Sequence, residues 1–140
     1  MGAVSFELRE HTADVAVAAR GGTLGEAFAA VADGLAAAMC DEIPPTGGER
    51  YEIEVRAESR ESLLFDYLDE VIYRRDVEAV LPVDHEARVE EVGEEWHLTG
   101  SFRGVPFADV VARDVKAVTY SEMRVERDGE EWTAYVVLDV

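Results

Sequence analysis

The residues best able to do chemistry in this 140-residue chain stand near its two ends. Residues 11–14 (HTAD) bring an imidazole, a hydroxyl and a carboxylate together between two stretches of alternating apolar residues. At the other end, the apolar stretch 132–138 is followed by Asp139 and by Val140 with its free α-carboxylate. Because isolated charges are costly to bury, ionisable groups within strand-like sequence require partners.

A divalent metal is one partner that would satisfy these groups. If the last strand ends beside the start of the second strand, Asp14, Asp139 and the α-carboxylate of Val140 converge. Like charges in a partly dry place stay ionised only when a cation binds them; otherwise their pKa values rise. Oxygen ligands suit Ca²⁺, Mg²⁺ or Mn²⁺, and the absence of nearby cysteine disfavours zinc and copper.

Simpler interpretations of the same residues remain open. Asp14 at a strand end can accept backbone N–H groups or a hydrogen bond from His11, and a terminal Asp139 can belong to a solvated tail. Lys116 is the only lysine of the chain. Its ammonium is either on the exposed face of a strand, or a compact charge that neutralises the acidic cluster or contacts a phosphate.

The composition indicates a folded, strongly acidic protein. With 140 residues, 48% hydrophobic and 31% charged, the chain is predicted to form one soluble globular domain spanning residues 1–140. The formal net charge of −18 repels phosphate backbones, so stable, direct binding of nucleic acid is not expected. An acidic, lysine-poor surface is also typical of a halophilic-type protein, because concentrated salt screens self-repulsion.

The chain shows no targeting or membrane signal. It lacks a basic leader with a cleavage site, and it nowhere has a run of about 18 apolar residues, so a cytoplasmic protein that does not enter membranes is expected. Cys40 is the single cysteine, which excludes an internal disulfide and a cysteine-based zinc site.

The periodicity of apolar residues predicts an α+β fold with two helices. A Thr-x-x-Glu capping box begins the first helix at Thr23, and Ser59 caps the second. Residues spaced by three and four form one apolar stripe on the first helix, and the wide apolar face of the second predicts burial on more than one side. The stripe comprises Leu24, Phe28, Val31, Leu35 and Met39, and the wide face comprises Leu63, Leu64, Tyr67, Leu68, Val71 and Ile72.

Strands are predicted in clusters after each helix, which argues against a regular βαβ winding. Turns at 93–94 and 128–129 predict two hairpins, and the sequence Gly104-Val105-Pro106 is expected to interrupt the strand pattern. The predicted strands are 4–9, 14–20, 51–57, 83–92, 95–103, 115–126 and 131–140.

Three stretches together resemble the archease family: HTADVAV at 11–17, DVKAVTY at 114–120 and the closing LDV at 138–140. A helix beginning TLGEAF and a second reading ESLLFDYLDEVIY also agree, so the resemblance covers essentially the whole chain. It implies an α+β fold of two strand-helix-strand-strand modules, one inserted into the other, with mostly antiparallel sheets.

The resemblance also implies a function. Archeases are activators of the GTP-dependent tRNA-splicing RNA ligase, and they promote guanylylation of its active-site histidine and its turnover without being enzymes themselves. The resemblance implies that Asp14, Asp139 and Val140 form the family's metal site, usually described with calcium. The resemblance also implies that Lys116 is the lysine used in activation, and His11 is expected to join it in activation or partner contact.

Two other function classes remain open. One is a small metal-dependent phosphoester hydrolase with Asp14, Asp139 and His11 as ligands and base, which would turn over without a partner. The other is an acidic, chaperone-like module that binds proteins and has no site chemistry, so its function would survive replacement of both aspartates.

Overall fold

The computed structural model describes residues 4–11 and 14–140, with the backbone alone at 9–11. None of the helices in these ranges has the length and apolar character that crossing a bilayer requires. In the described part of the chain the elements are β1 (Ser5–His11), β2 (Asp14–Gly21), α1 (Leu24–Met39), β3 (Glu49–Ala57), α2 (Arg60–Glu78), β4 (Val80–Val92), β5 (Glu95–Pro106), a short 3-10 helix (Phe107–Asp109), β6 (Ala117–Asp128) and β7 (Glu131–Asp139).

The strands form two antiparallel sheets. The first sheet has the order β1-β2-β7-β6, and the second has the order β3-β5-β4. One strand-helix-strand-strand module is β2-α1-β6-β7, and the other, β3-α2-β4-β5, is inserted between α1 and β6. The α+β fold with nested modules, predicted from the family resemblance, is therefore confirmed.

The two helices lie between the two sheets. α1 contacts β2 and β4, whereas α2 contacts β6 and β3, so each helix touches both sheets. A helix in this position needs apolar residues on opposite faces, and almost every residue of α1 is buried. The predicted stripe of α1 is buried, but most of the alanines between its members are buried too, which the prediction of a single stripe missed. The whole predicted apolar face of α2 is buried.

Two glycines allow α1 to approach both sheets closely. A Cβ atom at Gly25 would overlap the main-chain carbonyl oxygen of Ala87 in β4. A Cβ atom at Gly34 would lie 2.5 Å from Cγ1 of Val17 in β2. Each glycine thus faces a different sheet, and α1 is held tightly between them.

The local signals that delimit the elements act mostly as predicted. The side-chain oxygen of Thr23 accepts a hydrogen bond from the Glu26 N–H at 3.1 Å, and Ser59 accepts from the Ser62 N–H at 3.0 Å. Both predicted hairpins form, with positive φ angles at Gly93 and Gly129.

The predicted interruption at Gly104-Val105-Pro106 was wrong, since β5 continues to Pro106. At Gly104 the rings and methyl groups of Tyr51 and Val80 come so close that a Cβ would not fit. Pro106 is the last residue of the strand and lies beyond the pairing with β3, which ends at Gly104, so its missing N–H leaves that ladder intact.

We expect Gly25→Ala to lower the free energy of unfolding by about 1–3 kcal/mol, because the added methyl group meets main chain of β4 that cannot move alone. This expected change is the net effect, because the steric cost exceeds the gain of about 1 kcal/mol that alanine has over glycine within a helix. Urea unfolding followed by far-UV circular dichroism measures the difference. Gly34→Ala meets a side chain instead of main chain and should cost less. A Gly25→Ala protein as stable as the wild type would contradict the close packing of α1 on β4.

Candidate functional site

The end of β7 lies between the starts of β2 and β6. In the strand register, Asp139 pairs with Asp14 on one side and with Ala117 on the other. Residues directly opposite one another in antiparallel strands have Cβ atoms about 4.5–5.5 Å apart and project from the same face. The two carboxylates are therefore neighbours at one end of the first sheet, which is the arrangement that the metal hypothesis requires.

The aspartate pair projects from the face of the first sheet that points away from the helices. Val17 packs towards Gly34 of α1 and pairs with Val136, so these two valines mark the helix-facing side. Asp14 and Asp139 each lie three positions from one of these valines, and side chains alternate along a strand. The pair thus belongs to the outer face.

Burial changes sharply towards this end of the sheet. Val137 and Leu138 are buried, whereas Asp139 and Val140 are exposed and Asp14 is half-buried. Val136, Val137 and Leu138 are consecutive buried residues, so both faces of β7 are inaccessible to water just before Asp139. The two carboxylates therefore lie at the boundary between the buried part of the sheet and the solvent.

The donor set fits a hard divalent cation. Two facing carboxylates offer oxygens only, which suits Ca²⁺, Mg²⁺ or Mn²⁺. Among the side chains that the structure describes, those of residues 4–8 and 14–140, no three His, Cys, Asp or Glu form a group that could hold a metal ion. Asp14 and Asp139 alone would leave most positions of a six- to eight-coordinate ion to other oxygens. An ion held in this way would be open to further ligands from a neighbouring molecule.

His11 reaches the same end of the sheet through its backbone. It is the last residue of β1 and pairs with Asp14 in the β1–β2 register. Its side chain, together with Thr12 and Ala13, lies outside what the structure describes. The predicted role of His11 in activation or partner contact therefore stays a prediction.

A main-chain hydrogen bond holds Lys116 next to Asp139 of the aspartate pair. It is exposed and immediately precedes β6, and its backbone N–H donates to the carbonyl oxygen of Asp139 at 2.8 Å. The single lysine of the sequence and the acidic end of β7 are thus adjacent in the fold. β6 begins at Ala117, two residues later than predicted, so Lys116 belongs to the irregular segment before the strand.

Residues 110–116, here called the lysine segment, form no helix or strand and are connected to α1 by polar contacts. The Arg113 N–H donates to the carbonyl oxygen of Met39 at 2.7 Å, and the Arg113 guanidinium contacts the Asp41 carboxylate at 2.5 Å. This hydrogen bond, aided by the charge of Arg113, lowers the pKa of Asp41. A lowered folded-state pKa adds stability above the unfolded pKa that is lost as the pH falls. Since both side chains are exposed, the contribution is small.

Arg75 is a buried charge that connects α2 to the lysine segment. It is 8% exposed in the last turn of α2, and its Nη1 donates to the carbonyl oxygen of Val115 at 3.0 Å. Its Nε donates to Asp76 at 2.9 Å, and Nη1 lies 3.4 Å from a carboxylate oxygen of Asp114. The sequence-based prediction of the site did not include Arg75. The available signal was its helical spacing from Val71 and Ile72, which places a charge on a face predicted to be buried.

A second buried polar contact lies in the other sheet. His85 is buried in β4, and Asp33 of α1 accepts from its backbone N–H at 3.0 Å and lies 2.9 Å from its Nδ1. A register shift between Val83 and Glu86 and a positive φ at Asp84 accompany this contact. The pair joins α1 to an irregular position of β4 and therefore supports the packing of the helix.

Comparisons with known proteins agree with this architecture. Residues 6–140 match the family model described as the Archease protein family. The chain is 35% identical to the protein archease of Pyrococcus furiosus and 36% identical to that of Thermococcus gammatolerans, with 96% of this chain and 98% of each relative covered.

Solved structures show the same fold. The solution structure of Methanobacterium thermoautotrophicum protein 1598 superposes with a TM-score of 0.85 at 31% identity, covering 97% of this chain and 99% of that one. The crystal structure of an archease, possible chaperone, from Thermotoga maritima gives a TM-score of 0.62 and covers 94% of both chains. Its 24% identity bears on the fold alone.

We expect Ca²⁺ to raise the melting temperature of the wild-type protein and to leave Asp14→Asn and Asp139→Asn unaffected. At one hundred times its Kd, a ligand that binds only the folded state adds about 2.7 kcal/mol, or about 5–10 °C for a chain of this size. In EGTA, Asp139→Asn should melt no lower than the wild type, because like charges that face each other across strands are destabilising.

Differential scanning calorimetry with and without Ca²⁺, Mg²⁺ or Mn²⁺ makes this measurement. Asp128→Asn removes an exposed carboxylate from the opposite end of the same sheet and serves as the matched control. If none of the three ions changes the melting temperature of the wild-type protein, the metal-site hypothesis is wrong.

Proposed function

Because the chain belongs to the archease family, we propose that it is an accessory protein that activates the GTP-dependent tRNA-splicing RNA ligase. One observation about the site supports the proposal most directly. The β2–β7 register sets Asp14 against Asp139, and a main-chain hydrogen bond holds Lys116 beside Asp139. Two anionic oxygen donors and one ammonium-bearing residue therefore share one accessible end of a sheet.

The chemistry of guanylylation explains why such a site would help. Transfer of a nucleotide to a histidine requires neutralisation of phosphate charge and alignment of the attacking nitrogen. Asp14 and Asp139, with the α-carboxylate of Val140, would hold a divalent cation, Ca²⁺ in the first place and Mg²⁺ or Mn²⁺ as alternatives. When bound, the cation would supply positive charge to phosphate oxygens. Lys116 would add a compact ammonium next to it.

The exposure of the site suits an accessory role. Asp139 and Lys116 are exposed, and Val140 keeps 41% of its surface accessible, so another protein can approach all three. An enzyme that performs the reaction alone gains from excluding water around its reacting groups. Asp139, Lys116 and Val140 are instead accessible to solvent. We therefore assign the chemistry to the ligase and the activation to this chain.

The charge of the chain suits a basic partner better than RNA itself. A net charge of −18 attracts an RNA-binding enzyme with a positive surface and accelerates encounter, while it repels free RNA. We propose that the protein acts in the cytoplasm as one domain spanning 1–140 and makes no stable direct contact with nucleic acid.

We expect Asp14→Asn, Asp139→Asn and Lys116→Ala each to reduce stimulation of ligase guanylylation by at least about tenfold, the usual scale for a lost charge-stabilising group. The assay mixes the purified cognate ligase with labelled GTP and follows the covalent protein adduct over time. Lys116→Ala should keep the Ca²⁺-dependent rise in melting temperature, which separates the lysine from the metal ligands.

The same assay distinguishes the competing functions. Asp128→Asn should stimulate like the wild type. Full stimulation by both aspartate variants would show that activation does not require a metal at this site. Hydrolysis of a phosphoester by the isolated protein with Ca²⁺, Mg²⁺ or Mn²⁺ would favour a hydrolase, and no stimulation by the wild type would contradict the activator role itself.

A further inference from the structure

The peptide group between Val115 and Lys116 is held from both sides. Its carbonyl oxygen accepts from Nη1 of Arg75 at 3.0 Å, and its N–H donates to the carbonyl oxygen of Asp139 at 2.8 Å. Because a peptide group is planar and rigid, these two bonds together determine its position and tilt. Arg75 belongs to α2 and Asp139 to β7, so one peptide group connects the inserted module to the first sheet.

We propose that Arg75 is the positioning residue for activation: it holds the Val115–Lys116 peptide so that Lys116 stays beside Asp139. The inference rests on the proposed function of Lys116 and goes beyond it, because it assigns a role to a residue in the other module that is itself 8% exposed. Arg75 acts through Lys116 and touches neither the ligase nor its nucleotide.

The lysine segment needs this support because it packs poorly. Among residues 111–116, Val115 alone is buried. A groove of about 290 Å³ lies along the segment, and its lining includes Met39, Arg75, Phe107 and Arg113. The path of the segment is therefore determined by the buried side chain of Val115 and by hydrogen bonds at a few points. Of these points, Arg75 is the one attached directly to the residue before Lys116.

The chemistry of the side chain explains why this position holds an arginine. A buried cation is tolerated only when its donors are satisfied, and the guanidinium of Arg75 reaches Val115, Asp76 and Asp114 from one planar group. The two carboxylates balance its charge. A lysine carries all its donors on one nitrogen atom and cannot reproduce this planar fork, so Arg75→Lys keeps the charge but loses the arrangement.

The first test follows the Lys116 amide proton directly, without the ligase. We expect Arg75→Lys to accelerate hydrogen exchange of the Lys116 N–H by about tenfold, relative to amides in the middle of β7 such as that of Val136, as lost local protection would require. Arg74→Lys is the matched control. Arg74 is the neighbouring residue, and its Nη1 donates to the carbonyl oxygen of Glu52 at 2.9 Å, away from the lysine segment. Its variant should leave Lys116 exchange unchanged.

The second test is a double-mutant cycle in the guanylylation assay. Arg75→Lys should lower maximal stimulation by about five- to tenfold, while the Ca²⁺-dependent rise in melting temperature remains. In a Lys116→Ala background the same change should have no further effect, because Arg75 acts only through Lys116. A residue with a merely structural role would instead reduce both backgrounds alike.

The outcomes separate this inference from the proposed function. Three outcomes would each overturn the positioning role. Arg75→Lys could stimulate the ligase as well as the wild type does, or it could cause an additive loss in the Lys116→Ala background. It could also accelerate the exchange of β7 amides as much as that of the Lys116 amide. Arg75→Met, which removes the charge but keeps an unbranched chain, must show the same non-additivity with Lys116→Ala. A wild-type protein that fails to stimulate the ligase contradicts the proposed function, and the exchange measurement still reports on the geometry.

Discussion

The antiparallel pairing of β2 with β7 is the constraint on which the rest of the structure depends. It brings together residues that are far apart in sequence, and its register decides which side chains share a face. Val17 and Val136 face α1. Because side chains alternate along a strand, Asp14 and Asp139 project from the opposite face of the sheet. A slip of one residue would move the carboxylates of one strand to the helix-facing side, where an unpaired charge is costly. The apolar pattern of the core therefore determines the geometry of the polar site.

The nesting of the modules gives the site a second source of order. The inserted module returns the chain to the first sheet through the lysine segment, and that segment passes the end of α2 just before β6 begins. Arg75 meets it there, and α1 meets it through Met39. Both helices thus contact the stretch that carries Lys116. The helices are themselves fixed by packing against two sheets, so a segment without regular structure acquires a defined path.

Local signals in the sequence predicted most of the elements, and nonlocal contacts account for what was missed. Alternation, helical spacing, caps and glycine turns each act within a few residues, so they gave both helices and both hairpins. The alanines of α1 carried no such signal, because their burial follows from a second sheet that local periodicity cannot reveal. The contact of Arg75 with Val115 spans 40 residues and that of Asp33 with His85 spans 52. Strand order came from the family resemblance, because pairing between distant strands leaves no local pattern.

The partial ligand set at the aspartate pair is consistent with a site that works only in a complex. On the proposed function, Asp14, Asp139 and the α-carboxylate of Val140 leave room for ligands from a partner or its nucleotide, so metal binding and partner binding are thermodynamically linked. The factor by which the partner raises the affinity for the ion equals the factor by which the ion raises the affinity for the partner. A complete set of protein ligands would bind the ion more tightly alone but would weaken this coupling. Exposure and incompleteness are therefore what an activating site requires, whereas a purely structural metal site would favour closure by the protein's own ligands.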